Sequence, residues 1–220
     1  MNEVRDRFQG VAAATLCAAA GMADAIGYVN SDVFAANMTG NTVLVGLSLA
    51  EGQWLLAFER ASTVLAFMAG AIIGRGLLLG QRGRVLLPFL LEVVLILGSA
   101  VSDARGVVSV ALIALAMGVQ STAMARFRGV AVSTVVVTSS IARLCEAFVD
   151  RYSGARRKHV VPTTGAALFA SCWLAYGAGA VLAGSLLKLS ALSLVIPAMM
   201  VLVITLLLAW EERRRRHAAR

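Results

Sequence analysis

A chain of 220 residues with 59% hydrophobic content, 15% charged residues and a mean hydropathy of +0.81 carries more apolar surface than a soluble domain of this size covers. Lipid is the solvent such a composition calls for. The net charge of +8 would suggest nucleic acid in a soluble protein, but the basic residues sit in loops and at the C-terminus, so nucleic acid is excluded and anionic lipid headgroups are the expected partner.

In chain order, the first apolar run is Val11–Val29, preceded by Arg5 and Arg7. With Ala18-Ala19-Ala20 it imitates a cleavable signal peptide. The residues just beyond that apparent cut, Gly21 to Tyr28, are the most distinctive in the chain, which favours a retained first helix. Val33–Ala50 follows and is polar for a span, with Asn37, Thr39, Gly40, Asn41, Thr42 and Ser48. A loop is expected over Glu51 to Glu59, then the apolar runs Ala61–Leu79, Val85–Val101 and Val107–Ala125. Gly129–Leu144 is again polar, with Ser133, Thr134, Thr138, Ser139, Ser140 and Arg143. The last run, Leu189–Trp210, leads into a basic tail over residues 211–220. Full spans need ~20 apolar residues to cross ~30 Å of hydrocarbon, which several of these runs approach or reach.

Basic clusters at Arg5/Arg7, Arg75/Arg82/Arg84, Arg126/Arg128, Arg151/Arg156/Arg157/Lys158 and Arg213 to Arg216 should all be cytoplasmic, with both termini. Two of these clusters flank Gly129–Leu144, which therefore should not cross fully. Val33–Ala50 has no basic residue on either flank and looks like its counterpart from the other side.

The counterpart pattern extends along the chain. Gly21 to Ala25 aligns with Gly118 to Thr122, Thr39-Gly40-Asn41 with Thr138-Ser139-Ser140, and Ala66/Gly70/Gly74 with Tyr176/Ala180/Gly184. The expected fold is thus an all-α polytopic transmembrane bundle, a single membrane domain of two inverted repeats over about residues 11–101 and 107–210. Each repeat would hold three crossings and one re-entrant or broken segment. Eight ordinary spans, or a plain six-helix bundle, are the alternatives.

The string Gly21-Met22-Ala23-Asp24-Ala25-Ile26-Gly27-Tyr28, followed by Val33-Phe34-Ala35-Ala36-Asn37-Met38-Thr39-Gly40-Asn41-Thr42, resembles the YoaK-like family of bacterial membrane proteins. The similarity continues through Gly118-Val119-Gln120 and Thr138-Ser139 to the last helix, with Ser139 standing where the family pattern often has Gly. The resemblance implies a multi-pass protein of the bacterial plasma membrane and brings no established biochemical activity with it.

Candidate chemistry starts with Asp24, because a carboxylate inside an apolar segment commonly marks a proton or ion path. Gly21 and Tyr28 share its helical face, so a phenol could join it. The bland reading is that Asp24 snorkels or caps a broken helix end. Thr39-Gly40-Asn41-Thr42 can break a helix, Gly40 tolerating positive φ, and offers backbone groups to a solute or ion; Asn37 precedes it. The same side chains also serve as interhelical glue. Glu92, mid-segment, is either a coupling site or half of a structural pair with a cation such as Arg75 or Arg143. Gln120, Thr138 and Ser139 complete the candidate pathway, and glue is again the alternative.

Cys17, Cys145 and Cys172 lie in apolar stretches without metal-ligand spacing, so they read as small buried hydrophobes. No metal, cofactor or disulfide framework is expected. His159 and His217 have no partner visible in the sequence. With no phosphate-binding loop or nucleophile elbow, an enzyme is not expected. The expected function is a small secondary transporter or facilitator of a small solute or ion, with Asp24 or Glu92 coupling to protons. A non-transporting scaffold and a passive channel are the alternatives, and a homo-oligomer is left open.

Overall fold

The computed structural model describes residues 2–80, 85–102, 106–124, 141–142, 145–146, 148–149, 163–186 and 191–218. Seven long helices stand among them: α1 (Asn2–Ser31), α2 (Met38–Ala50), α3 (Trp54–Gly80), α4 (Leu86–Val101), α5 (Val107–Met124), α6 (Thr163–Leu186) and α7 (Val195–Ala218). A 3-10 turn at Ala191–Leu194 leads into α7. No strand occurs among the described residues.

Five helices contain windows long and apolar enough to cross a membrane: Arg7–Ser31, Trp54–Gly80, Val107–Met124, Ala166–Leu186 and Val195–Arg214. The chain is therefore the expected all-α polytopic membrane protein. Helix α2, with 13 residues, reaches only about 20 Å at ~1.5 Å per residue, well short of the hydrocarbon thickness. Helix α4 has 16 residues and carries Pro88 in its first turn, where a missing N–H breaks no helical bond.

Two boundaries differ from the sequence expectation. The loop expected over Glu51 to Glu59 shrinks to residues 51–53, because Gly52 takes φ +71° and lets Gln53 donate to the Ser48 carbonyl at 2.8 Å. The basic tail is not a separate segment, since α7 continues helical to Ala218 and stacks the Arg214 guanidinium 4.5 Å above the Trp210 ring. Of Gly129–Leu144, only Ile141 and Ala142 are described, both helical and exposed. The remainder of that segment, with Thr138 and Ser139, lies outside the described residues.

Helices α1 and α5 form the centre, with 67% and 61% of their spanning windows buried, against 22–28% for α3, α6 and α7. The outer three therefore present most of their apolar surface to lipid. The two most extensive helix contacts are α1 with α6 and α3 with α5. Both are built in the same way.

In each pair a glycine lies against a carbonyl of the partner helix, and the partner replies with a glycine three residues further on. Gly21 abuts the Tyr176 carbonyl while Gly179 abuts that of Ala18; Gly70 abuts the Leu115 carbonyl while Gly118 abuts that of Phe67. A methyl at any of these four positions would overlap backbone, which has no rotamer with which to yield. Backbones this close gain dispersion and weak Cα–H···O contacts, the main adhesion between helices in lipid. Along α1 and α6 the contacts advance together, Gly10 meeting Leu168, Cys17 meeting Cys172 and Gly21 meeting Tyr176, so the pair runs parallel. Gly70 meeting Leu115 and Gly74 meeting Val119 and Thr122 make α3 and α5 parallel as well.

Other pairs run antiparallel. Ser99 and Ser109 exchange hydrogen bonds across α4 and α5, their hydroxyls 2.8 Å apart, while Gly98 faces Leu112. The start of α4 (Val85, Leu86, Phe89) lies against the end of α7 (Thr205, Leu208, Ala209, Glu212).

Candidate functional site: a buried acid at the junction of three segments

Beyond Ser31 the chain turns at Asp32, which adopts φ +53°, and then doubles back along α1. The Val33 carbonyl and Ala35 lie against Gly27, a position where a Cβ would stand 2.9 Å from that carbonyl oxygen. One turn deeper, the backbone N–H groups of Ala36 and Asn37 both donate to Asp24 Oδ1, the second at 3.2 Å. The other carboxylate oxygen accepts from the Tyr176 hydroxyl of α6. Asp24 is 3% exposed. A single carboxylate thus ties α1, the returning segment and α6 together with charge-assisted hydrogen bonds.

Helix α2 starts from this junction. The Asn37 side chain accepts from Gly40 N–H at 3.1 Å, an N-cap that satisfies one of the free donors of the first turn. Buried Asn41 clasps Phe34, accepting from its N–H at 2.8 Å and donating to its carbonyl at 2.6 Å. Phe34 in turn stacks on Tyr28, with ring centroids 4.8 Å apart. Asn37 therefore lies level with Asp24, whereas Asn41 lies level with the shallower Phe34. The chain goes in over residues 32–37 and comes back out along α2. At its far end α2 is held by Arg60 of α3, which donates to the Leu44 carbonyl at 3.1 Å and to Ser48 Oγ at 2.6 Å.

Several sequence expectations need correction against this geometry. The phenol beside Asp24 is Tyr176, not Tyr28, which is 46% exposed and spent on Phe34. The break does not fall within Thr39–Thr42 but before it, and these residues form the first helical turn. Gly40 keeps a negative φ; its value lies in space, since a Cβ there would stand 3.0 Å from the Phe34 ring and from Asn37 Nδ2. Thr39 and Thr42 are exposed, and Thr42 Oγ1 donates to its own helix at Met38 O, 2.8 Å away. Asp24 and the Thr39–Thr42 turn are therefore neighbours in one assembly without lining a common surface.

Glu92 is fully buried, and among the described residues neither of its oxygens has a hydrogen-bond partner. Arg75, one cation suggested for it, is exposed on α3, and Arg143 lies outside the described residues. Gln120, buried on α5, donates from Nε2 to the Leu16 carbonyl of α1 at 3.2 Å and so joins the two central helices. Cys17 and Cys172 are buried thiols in contact across α1 and α6; Cys145, expected to be buried, is exposed. Among the described residues no group of three His, Cys, Asp or Glu is placed to hold a metal.

The comparisons with known proteins agree with the helical membrane architecture. Residues 12–207 match the family described as "Protein of unknown function (DUF1275)". The chain belongs to this family. It is also 34% identical over 143 residues to the UPF0700 transmembrane protein YoaK of Bacillus subtilis (strain 168), an overlap of 60% of this chain and 63% of that protein. No solved structure matches.

The missed site residue is Tyr176. In sequence it stands at the head of a row of small residues and was absorbed into a packing ridge. The available signal is chemical, because a tyrosine inside an apolar helix needs an acceptor for its hydroxyl, and Asp24 is a carboxylate in an apolar run of the other half that needs a donor.

Proposed function

We propose that the chain is a small membrane transporter or facilitator of the inverted-repeat type, not an enzyme, and that the Asp24 junction is its gate. The observation that carries this reading is that Asp24 joins a returning segment of the first half to Tyr176 of the second half in the middle of the helix bundle.

The directions of the helices support the inverted plan. If α1 runs outward, the returning segment and α2 enter and leave on that same outer side, so α3 runs inward. Helix α5 follows α3, α6 follows α1, α4 opposes α5, and α7 opposes α4. The order out, in, out for α1, α3 and α4 then becomes in, out, in for α5, α6 and α7. With Gly129–Leu144 re-entrant, this order is compatible with all five basic clusters on one face, which the positive-inside rule would make cytoplasmic. The four reciprocal glycines give the register: Ala18 and Gly21 correspond to Leu115 and Gly118, and Phe67 and Gly70 to Tyr176 and Gly179. This shifts the second ridge by one residue from the match with Ala180 and Gly184, and nothing lies within 4 Å of a Cβ at Gly184. The basic end of α7 would meet anionic lipid headgroups, and Gly129–Leu144 would supply the second re-entrant segment.

Secondary transporters of this plan place discontinuous segments at the repeat interface and open them alternately to the two sides. Here the described junction is closed. Opening it requires the carboxylate to release Tyr176 or the Ala36–Asn37 backbone, which ties the gate to an event at one acid.

A second reading, a non-transporting scaffold, is favoured by the same closure: Asp24 and Asn41 are buried, and their hydrogen bonds are all made to protein. The two readings separate in proteoliposomes loaded with a pH-sensitive dye and challenged in turn with amino acids, small organic acids and inorganic ions. A saturable, solute-dependent flux that Asp24→Asn abolishes while the variant unfolds near the wild-type temperature supports the transporter. Absence of flux across the panel, with Asp24→Asn acting only on stability, establishes the scaffold.

A further inference from the structure

Glu92 is an acid that the Asp24 junction does not use. It lies in Leu86–Val101 among Phe89, Val93 and Ile96, all buried, and neither carboxyl oxygen has a partner among the described residues. An ionised carboxylate left there would cost many kcal/mol. Packing alone would place leucine or phenylalanine at this position, so packing does not account for the acid.

Helical periodicity places Glu92, itself outside the lining, one turn from a small cleft on the same face of α4. Positions 85, 89, 92 and 96 share one face of α4. On that face, one and two turns toward the helix start, Phe89 and Val85 with Leu86 line a cleft whose far wall is Thr205, Leu208, Ala209 and Glu212 of α7. Thr205 is 1% exposed, so this cleft brings a hydroxyl well inside the helix pair. Its outer rim carries the carboxylate of Glu212.

The ligand class follows from what surrounds the acid. Helix α4 packs on α5, α7, the 3-10 turn and, slightly, α3. Neither α5 nor the 3-10 turn has a titratable residue. Helix α7 has Glu211, Glu212 and the arginines from 213 onward at its end, while α3 has Glu59, Arg60 and Arg75. A metal cation held at Glu92 would need several further oxygen ligands. A proton needs only the carboxylate.

We propose that Glu92 is a proton-binding site loaded through the cleft between the start of α4 and the end of α7. Hydronium delivers its proton to the carboxylate, leaving the neutral acid and a water molecule. The assignment builds on the transporter reading in one respect: Arg82 and Arg84, which precede α4 in the sequence, and the arginines at the end of α7 make this side cytoplasmic by the positive-inside rule, so Glu92 samples the inner pH while Asp24 holds the gate.

The test uses the full-length protein in liposomes and dicyclohexylcarbodiimide, which converts protonated carboxyls in apolar surroundings to N-acylureas. Mass spectrometry should find the adduct on Glu92. It should vanish in Glu92→Gln and form several-fold more slowly in Ala209→Phe, which fills the cleft. An infrared carboxylic C=O band that shifts in D2O and is missing from a folded Glu92→Gln protein gives a readout independent of reagent size. Absence of both the adduct and the exchanging band overturns the site, and labelling indifferent to Ala209→Phe overturns the route. Labelling without solute flux would leave the proton site standing and remove the transporter reading.

Discussion

A methyl group added at Gly21 would have to enter the backbone of α6 at Tyr176, and one added at Gly118 the backbone of α3 at Phe67. Neither neighbour can rotate away, so the helices must separate. Gly21→Ala is expected to lower stability by about 1–3 kcal/mol, the usual range for an overpacked interface. Because Tyr176 moves with its backbone, the change should also disturb the hydrogen bond to Asp24. Gly76→Ala is the control: a Cβ there has no atom within 4 Å, and the variant should be neutral or slightly more stable. Thermal unfolding in detergent measures both. Equal changes for Gly21→Ala and Gly76→Ala would show that the contact with the Tyr176 backbone is not what limits stability. At this scale the sequence displayed the glycines and the acid plainly. It did not display which glycine meets which carbonyl, because a neighbour in space leaves no mark on the spacing along one helix.

The element with the most to lose is the returning segment with α2. Ala35 and Ala36 join the core, but α2 itself buries only Asn41 and Ser48, and the unit is fastened by hydrogen bonds at three points: Asp24 on Ala36 and Asn37, Asn41 on Phe34, and Arg60 on Leu44 and Ser48. Asn41→Ala removes both bonds to Phe34 and strands a buried N–H and a C=O. Each stranded group costs about 1–3 kcal/mol, more than the bond itself was worth. Hydrogen–deuterium exchange should quicken across residues 32–41 in Asn41→Ala while the α1–α6 contact keeps its protection. Uniformly faster exchange would instead make Asn41 part of the global fold. The polar string Asn37 to Thr42 announced an unusual segment. It misplaced the break by a few residues, since Gly40 reads as a breaker in isolation yet serves here as a clearance for the Phe34 ring, with Asn37 as the N-cap before it.

For the whole molecule, the decisive feature is whether α2 returns to the side it came from. Single cysteines at Asn30 and Gln53, introduced after replacement of the native cysteines, should both react with a membrane-impermeant maleimide added outside intact cells. Reaction at one and not the other would mean that α2 crosses, and the inverted arrangement would fall with it. Parallel pairing of α1 with α6 and of α3 with α5 would persist, because it rests on glycine contacts and not on sidedness.

Hydrophobic content alone determined that this chain lives in lipid as helices, since backbone hydrogen bonds in hydrocarbon leave a single chain of this composition no other economical form. Charge placement and the repeated small-residue motifs added a workable plan of the helices. The tertiary structure decided what the acids do. Asp24 is held by two backbone N–H groups and by a hydroxyl far along the chain, while Glu92 has no hydrogen-bond partner among the described residues. Both look alike in sequence, as one carboxylate in one apolar run, because the solvation of a buried charge depends on donors brought together only by folding.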